Sequence, residues 1–422
     1  MKILWVSNSP IGPASQILGS EYKGTSGGWI QSEYEYLNID DAKMYFLCSA
    51  PNVRESEIIH KSNEVGEVYC VKAPKLAYGL KAPRYLEESI EKIINEVQPD
   101  VIHIWGTETY ISNIVSKCNA AIPKIIFIQG LLGVHKRYLG GYFSKKDNRK
   151  YYRGISLKGN IKALIREALF KRQAEIERET IIKCGNVIVD SDFATGYCHS
   201  LSPTIKCYNH ALLPNSIFSS HRWNYDAVNK HTIFTIYGGS AEKGLQQLLK
   251  AVSIVKRKYS DVKVLVPGNY NLNDDGIIHP STNNAYEKVL AKIIEDLNLA
   301  DNVVFIGRQD VISMASHISK SHIFVNPSCM EVHALSLREA LTEGVPCISA
   351  LSGSVGDFIK HGQNGFIYRY EEYETLALYI EKIFGNFDLA KKLSNEAVCA
   401  MGHFKTGSLS LKDIYDELVG GR

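Results

Sequence analysis

The 422-residue chain has no CxxC pair and few cysteines. The nine stand at 48, 70, 118, 184, 198, 207, 329, 347 and 399. That pattern argues against a structural zinc site, and an odd, dispersed set reads as reduced thiols of a cytoplasmic protein. Long hydrophobic runs are also missing: nothing approaches the roughly 18–20 apolar residues of a membrane span. The run that opens the chain, MKILWVSNSPIG, stops at Asn8 and Pro10. It is short for a signal-peptide core of about 7–15 residues, and no small-residue cleavage site follows. Nor is there a strong excess of charge. A net +3 is too mild to imply nucleic acid, and no recognition motif accompanies it.

What remains is long and apolar enough for two cores, since single cores stop growing near about 250–300 residues. Short Val- and Ile-rich runs recur, each ending at Gly, Ser or Asn and followed by a helical pattern. The first half holds KILWVSN, KMYFLCSA, EVYCVKA, DVIHIWG, KIIFIQG and NVIVDSD; the second holds TIFTIYGG, VKVLVPG, NVVFIG, HIFVNPS, PCISA and GFIY. Continuous rather than alternating runs belong to strands buried on both faces, as in parallel sheets. Their alternation with helices predicts an α/β protein of two doubly wound Rossmann-like domains. The boundaries are expected at 1–215 and 216–405, with a last helix within 406–422 packing back on the first domain. Ligands of such sheets bind beyond the carboxyl ends of the strands, so a cleft faced by both domains is the expected site.

One apolar stretch carries two carboxylates, Glu331 and Glu339, with seven residues between them: NPSCMEVHALSLREALTEGVPCISA. An unpaired buried charge is costly, so the pair asks for a reason. LSLREALTEG reads as the helix after HIFVNPS, beginning around Ser336 and closing at Gly344, and Ser336-Leu337-Arg338-Glu339 has the S-x-x-E form of a capping box, which predicts Glu339 in its first turn. Glu331 then lies in the loop before it. Both acids gather at a helix N-terminus whose free amides favour an anion such as phosphate.

This segment resembles the donor-site signature of family 4 glycosyltransferases of the GT-B fold, which commonly reads PSxxEGFGxxxLEAxAxGxPVI. SGSVGDFIKHGQNGFIY is similar to the family's next segment, with Asp357 in place of its usual Glu. Weaker likenesses run along the chain: GTSGGWIQSEYEYLN with Gly27 and Gly28, DVIHIWG, SDFATGYCHSLSP, YGGSAEKGLQQLLKAV and NVVFIG. The resemblance implies two domains facing across a cleft and a retaining, metal-independent transfer from a nucleotide-diphosphate sugar, UDP-sugar before GDP-sugar, with no further cofactor. It places Glu339 on the ribose hydroxyls and Glu331 at the sugar ring. Gly239 and the amides of His333, Ala334, Leu335, Ser336 and Leu337 are placed at the diphosphate. Lys243 would stabilise the leaving phosphates, and Gly27 and Gly28 would let backbone approach them.

The chain departs from that pattern at three places. Gly238 stands where relatives carry an Arg five residues before the Lys, and Arg308 after NVVFIG is a candidate substitute. EVHA replaces EGFG, bringing His333 into the loop. Gln129 ends KIIFIQG where many relatives have a His; a Gln is no base, yet it can hydrogen-bond a sugar or acceptor. His103 matches the first His of a paired family pattern and reads as structural.

Between 136 and 172 twelve Lys and Arg face only Asp147 and Glu167. Leu157, Ile161, Leu164, Ile165 and Leu169 share one helical stripe there. Such a stretch suits an anionic membrane at the inner face of the plasma membrane, a lipid-linked acceptor, or simply packing on its own domain. The expected function is therefore sugar transfer to a saccharide or lipid-linked acceptor in surface-polysaccharide assembly. A nucleotide-sugar epimerase of the same plan and a non-catalytic sugar-nucleotide-binding subunit are the alternatives.

Overall fold

A computed structural model of the chain describes residues 1–19, 28–37, 39, 42–74, 81–138, 141, 143, 157–236, 239–274, 276–278, 284–406 and 408–420. Side-chain placement is further described only from 168 in the helix Leu157–Cys184, and not at 405 and 406. The chain forms two compact units, Met1–Lys136 with Lys162–Leu213 and Gly407–Arg422, and Arg137–Ile161 with Pro214–Thr406.

The first unit is built on eight strands: β1 (Lys2–Ser7), β2 (Lys43–Ala50), β3 (Ile58–Asn63), β4 (Gly66–Lys72), β5 (Val101–Trp105), β6 (Lys124–Phe127), β7 (Asn186–Val189) and β8 (Lys206–Asn209). They lie in the order β3-β4-β2-β1-β5-β6-β7-β8, all parallel except the β3–β4 hairpin. The apolar runs of β1, β2 and β5 are buried on both sides because helices cover both faces of a parallel sheet. β3 and β8 lie at the two edges and were not expected from the sequence. IIHKSN and KCYN carry polar residues because an edge strand is partly wet.

The C-terminal helix Leu411–Gly420 belongs to this unit. Trp5 Nε1 donates to Tyr415 Oη at 3.0 Å. Tyr415 Oη lies 2.6 Å from His103 Nδ1. Burial pulls the His103 pKa well below the ordinary value, so the neutral ring accepts a hydrogen bond from the tyrosine hydroxyl. His103 is thus a fully buried structural residue. Leu409 N donates to Asn209 O at 3.0 Å, and His210 bridges Leu409 O (2.7 Å) and Glu33 Oε2 (2.8 Å).

The second unit holds β9 (Asn229–Thr235), β10 (Lys263–Pro267), β11 (Val303–Gly307), β12 (Ser321–Asn326), β13 (Cys347–Ala350) and β14 (Phe366–Tyr368) in the order β11-β10-β9-β12-β13-β14, all parallel. These are the six apolar runs of the second half of the sequence. Chain order reverses between β9 and β12, and between β1 and β5 in the first unit, which makes two topological switch points. Arg137–Ile161 groups with this unit, although the sequence placed it within 1–215. Tyr138 and Phe143 pack against the second core, and Tyr370 Oη donates to Gly141 O at 2.9 Å. The class is α/β with two parallel-sheet domains.

Candidate active site

In the second unit the two loops leaving the switch-point strands are stitched together. After β9 the chain makes a short 3-10 turn, Ala241–Lys243, and Gly244 takes φ 77°. A Cβ on Gly244 would overlap Pro327 O, so only glycine lets the turn approach the loop after β12 this closely. Cys329 N donates to Glu242 O at 2.9 Å, which fixes the two loops in register. On the other side Gly353, at φ 49°, approaches Glu331 O, and Ser354 N donates to that oxygen at 3.2 Å. Ser352 Oγ donates to Ser328 O at 3.0 Å.

This scaffold places Lys243 Nζ 2.9 Å from Glu331 Oε1. Glu331 is buried, whereas the Lys243 side chain keeps 30% of its surface exposed. Burial alone would lower the lysine pKa, but the Glu331 carboxylate more than offsets it and holds the ammonium charged. The result is a cation with one anchored partner and one open side.

The helix beyond this pair lies where LSLREALTEG places it, but its cap differs. It spans Leu335–Glu343, and its N-cap is Ala334 at φ 46°, ψ 42°. Ser336 makes no capping bond, so the predicted capping box does not form, and Glu339 lies in the second turn. The physical reason is that Ala334 takes the left-handed turn itself. Its carbonyl accepts Leu337 N (3.0 Å) and Arg338 N (3.1 Å). The Leu337 amide, expected at the diphosphate, is thereby already engaged, and its side chain is buried. Among the described residues no acceptor is bonded to the amides of Leu335 and Ser336, both half-buried. Orphan amides at a helix N-terminus bind anions.

Glu339 is half-buried, and desolvation pushes its carboxyl up to about 7. One turn on, Glu343 is fully buried with neither oxygen partnered among the described residues. Desolvation and then the Glu339 carboxylate push it up to about 9. His333 is buried in the same loop, and Gly239 is exposed in the loop after β9. Arg308 follows the edge strand β11, two strands from β9.

Other sequence candidates lie elsewhere. Gly28 is the first residue of the helix Gly28–Tyr36; Gly27 and Gly238 fall outside the described residues. Gln129 follows β6 in the first unit, half-buried, with no partner for Nε2 among the described residues. Of the basic stretch 136–172, residues 139, 140, 142 and 144–156 also fall outside, and Leu157–Cys184 is one helix. Among the described residues no helix is long and apolar enough to cross a membrane, and no group of three or more His, Cys, Asp or Glu could hold a metal ion.

The sequence reading missed two features. Gly353 and its serines pin the Glu331 backbone; the SGS triplet was legible as a loop, but its close approach was not. Glu177, fully buried in the first unit, reads in EIERE as one more solvated helix acid.

Residues 220–398, the body of the second unit, match the family model of glycosyl transferases group 1. That stretch is a group 1 glycosyl transferase domain. The chain is 29% identical over 144 residues to the uncharacterized glycosyltransferase YqgM of Bacillus subtilis, covering 33% of this chain and 35% of that one. The match to such curated relatives thus spans about a third of their length. Over the whole chain the fold matches sucrose-phosphate synthase from Thermosynechococcus elongatus, with a TM-score of 0.73, 16% identity and complete coverage of both chains. It also matches Anabaena HepE in complex with UDP and glucose, with a TM-score of 0.62 and 13% identity over 100% of this chain and 99% of that one.

Proposed function

We propose that the protein is a retaining, metal-independent glycosyltransferase. It moves a hexose from a UDP-sugar to a saccharide or lipid-linked acceptor at the inner face of the plasma membrane. The observation that carries this reading is the Lys243–Glu331 pair at the switch point, next to the open amides of Leu335 and Ser336. The donor diphosphate accepts from those amides and from Lys243, which stabilises the charge that builds on the leaving phosphate. Glu331, already held by the lysine, accepts hydroxyls of the sugar ring. Glu339 accepts the ribose hydroxyls, and the departing phosphate takes the acceptor proton on the same face. HepE, a fold neighbour, was captured with UDP and glucose, which supports the choice of base. The charge of the 136–172 stretch supports contact with anionic lipid.

The test is a panel of nucleotide sugars with saccharide and lipid-linked acceptors, read by mass. A new glycoside with the anomeric configuration of the donor is expected. Turnover of a donor with no acceptor present, giving an isomeric nucleotide sugar, contradicts the reading.

A further inference from the structure

The first unit has its own polar cluster at its switch point. Asn8 follows β1, Glu108 follows β5 and Gln129 follows β6. A Cβ built on Gly106 would lie 3.4 Å from Gln129 Oε1, 3.4 Å from Glu108 Oε2 and 3.5 Å from Asn8 Nδ2. The three side chains therefore converge over a residue with no side chain of its own. Glu108 is held by Thr107 N at 2.8 Å and Asn8 by the hydroxyl of Thr109.

Gln129 has no such clamp among the described residues. What is fixed is the turn after it, Leu132–His135. Leu132 N donates to Glu177 Oε2 at 2.7 Å and Gly133 N to Glu177 Oε1 at 3.0 Å. Tyr197 Oη donates to Glu177 Oε1 at 2.8 Å, and Thr107 Oγ1 lies 3.5 Å from Oε2. A side chain on Gly133 would overlap the Tyr197 hydroxyl, so the turn is seated against both residues. A buried carboxylate is costly to desolvate, and here each of its oxygens takes one of the two amides.

We infer that Glu177 is a positioning residue. Its buried carboxylate fixes the turn Leu132–His135 and so sets where Gln129, beside Asn8 and Glu108, meets an acceptor hydroxyl. The inference rests on the transferase reading above. Burial raises the Glu177 carboxyl, the amides of Gly133 and Leu132 and the Tyr197 hydroxyl lower it, and Glu108 raises it again, leaving it at about 7. The titratable groups facing it are Glu108 from the loop after β5, and Tyr197 and Cys198 from the helix Asp192–Leu201. Below about pH 7 the carboxyl is protonated, one oxygen becomes a donor, and one amide loses its acceptor. The anchored turn is the high-pH form.

The experiment compares wild type, Glu177→Gln and Tyr197→Phe as full-length proteins. It reads sugar transfer against pH, UDP affinity by calorimetry, and amide exchange across 129–135. The expected result for Glu177→Gln is a kcat at least tenfold lower at pH 8. Donor KM and UDP affinity stay within twofold, and the rise in rate through pH 7 expected of wild type is absent. Tyr197→Phe, which keeps both amide bonds, loses less than fivefold and retains the pH profile, covering the case in which the Gln variant fails to fold. A Glu177→Gln variant with wild-type kcat and pH profile overturns the inference. If wild type binds UDP but transfers nothing, the transferase reading fails, and exchange alone decides the anchor. Unchanged protection of Leu132 and Gly133 in Glu177→Gln then overturns it.

Discussion

Lys243 Nζ and Glu331 Oε1 stand 2.9 Å apart, on the two loops that leave the adjacent parallel strands β9 and β12. The sheet brings them together because its chain order reverses between those strands. Lys243→Met should weaken UDP binding by roughly 10–100-fold, the range for a hydrogen bond to a charged group. Glu331→Gln should leave UDP affinity within a few fold, since UDP lacks the transferred hexose that Glu331 holds, while lowering kcat for transfer. Calorimetry and rate assays separate the two; equal loss of UDP affinity in both variants contradicts the assigned roles.

Ala334 holds φ 46° at the N-cap, a conformation that costs a non-glycine residue about 1–2 kcal/mol. Ala334→Gly relieves that cost but gains chain entropy when unfolded, so a net stabilisation of about 0–1 kcal/mol is expected. Ala334→Val, β-branched, should destabilise by about 1–2 kcal/mol. Urea midpoints of the full chain measure both. A neutral Val variant argues against the left-handed turn.

Among the described residues the carboxyl of Glu343, fully buried, has no polar partner, and burial holds it up at about 9 in the fold. A raised acid pKa means that the folded state binds the extra proton, so stability falls as pH rises from the unfolded value near 4.3 toward 9. Glu343→Met should therefore stabilise by about 1–3 kcal/mol at pH 7, and the gain should shrink as pH approaches 4. A gain independent of pH contradicts this account.

His210 works with the opposite sign. Burial lowers its pKa, but Glu33 and the Leu409 carbonyl outweigh burial and raise it above the ordinary value. The stability it contributes is present below the unfolded pKa of about 6.5 and is lost as pH rises through the higher folded value. Amide protection in the C-terminal helix, which this contact helps to dock, should fall over that rise. His210→Gln should flatten the dependence. Protection that does not change with pH contradicts the assignment.

Much of the fold was legible because parallel strands write themselves as continuous apolar runs, and all six strands of the second unit did so. β3 and β8 were not, because an edge strand such as IIHKSN keeps a wet side. The helix after Glu331 was legible as LSLREALTEG, but its cap was not, for a local reason. A Ser at N-cap needs extended backbone, and here Ala334 turns two residues earlier through a conformation that composition does not advertise. Glu177 was illegible because its burial comes from tertiary packing. Periodicity in a helix of 28 residues does not say which of several acids lies beneath a turn from another strand.

The most direct measurement is calorimetric titration of UDP into the wild-type chain and into Glu339→Ala. The account predicts one site per chain in wild type and at least a tenfold loss of affinity in the variant. Absence of UDP binding in wild type, or equal affinity in the two proteins, contradicts it.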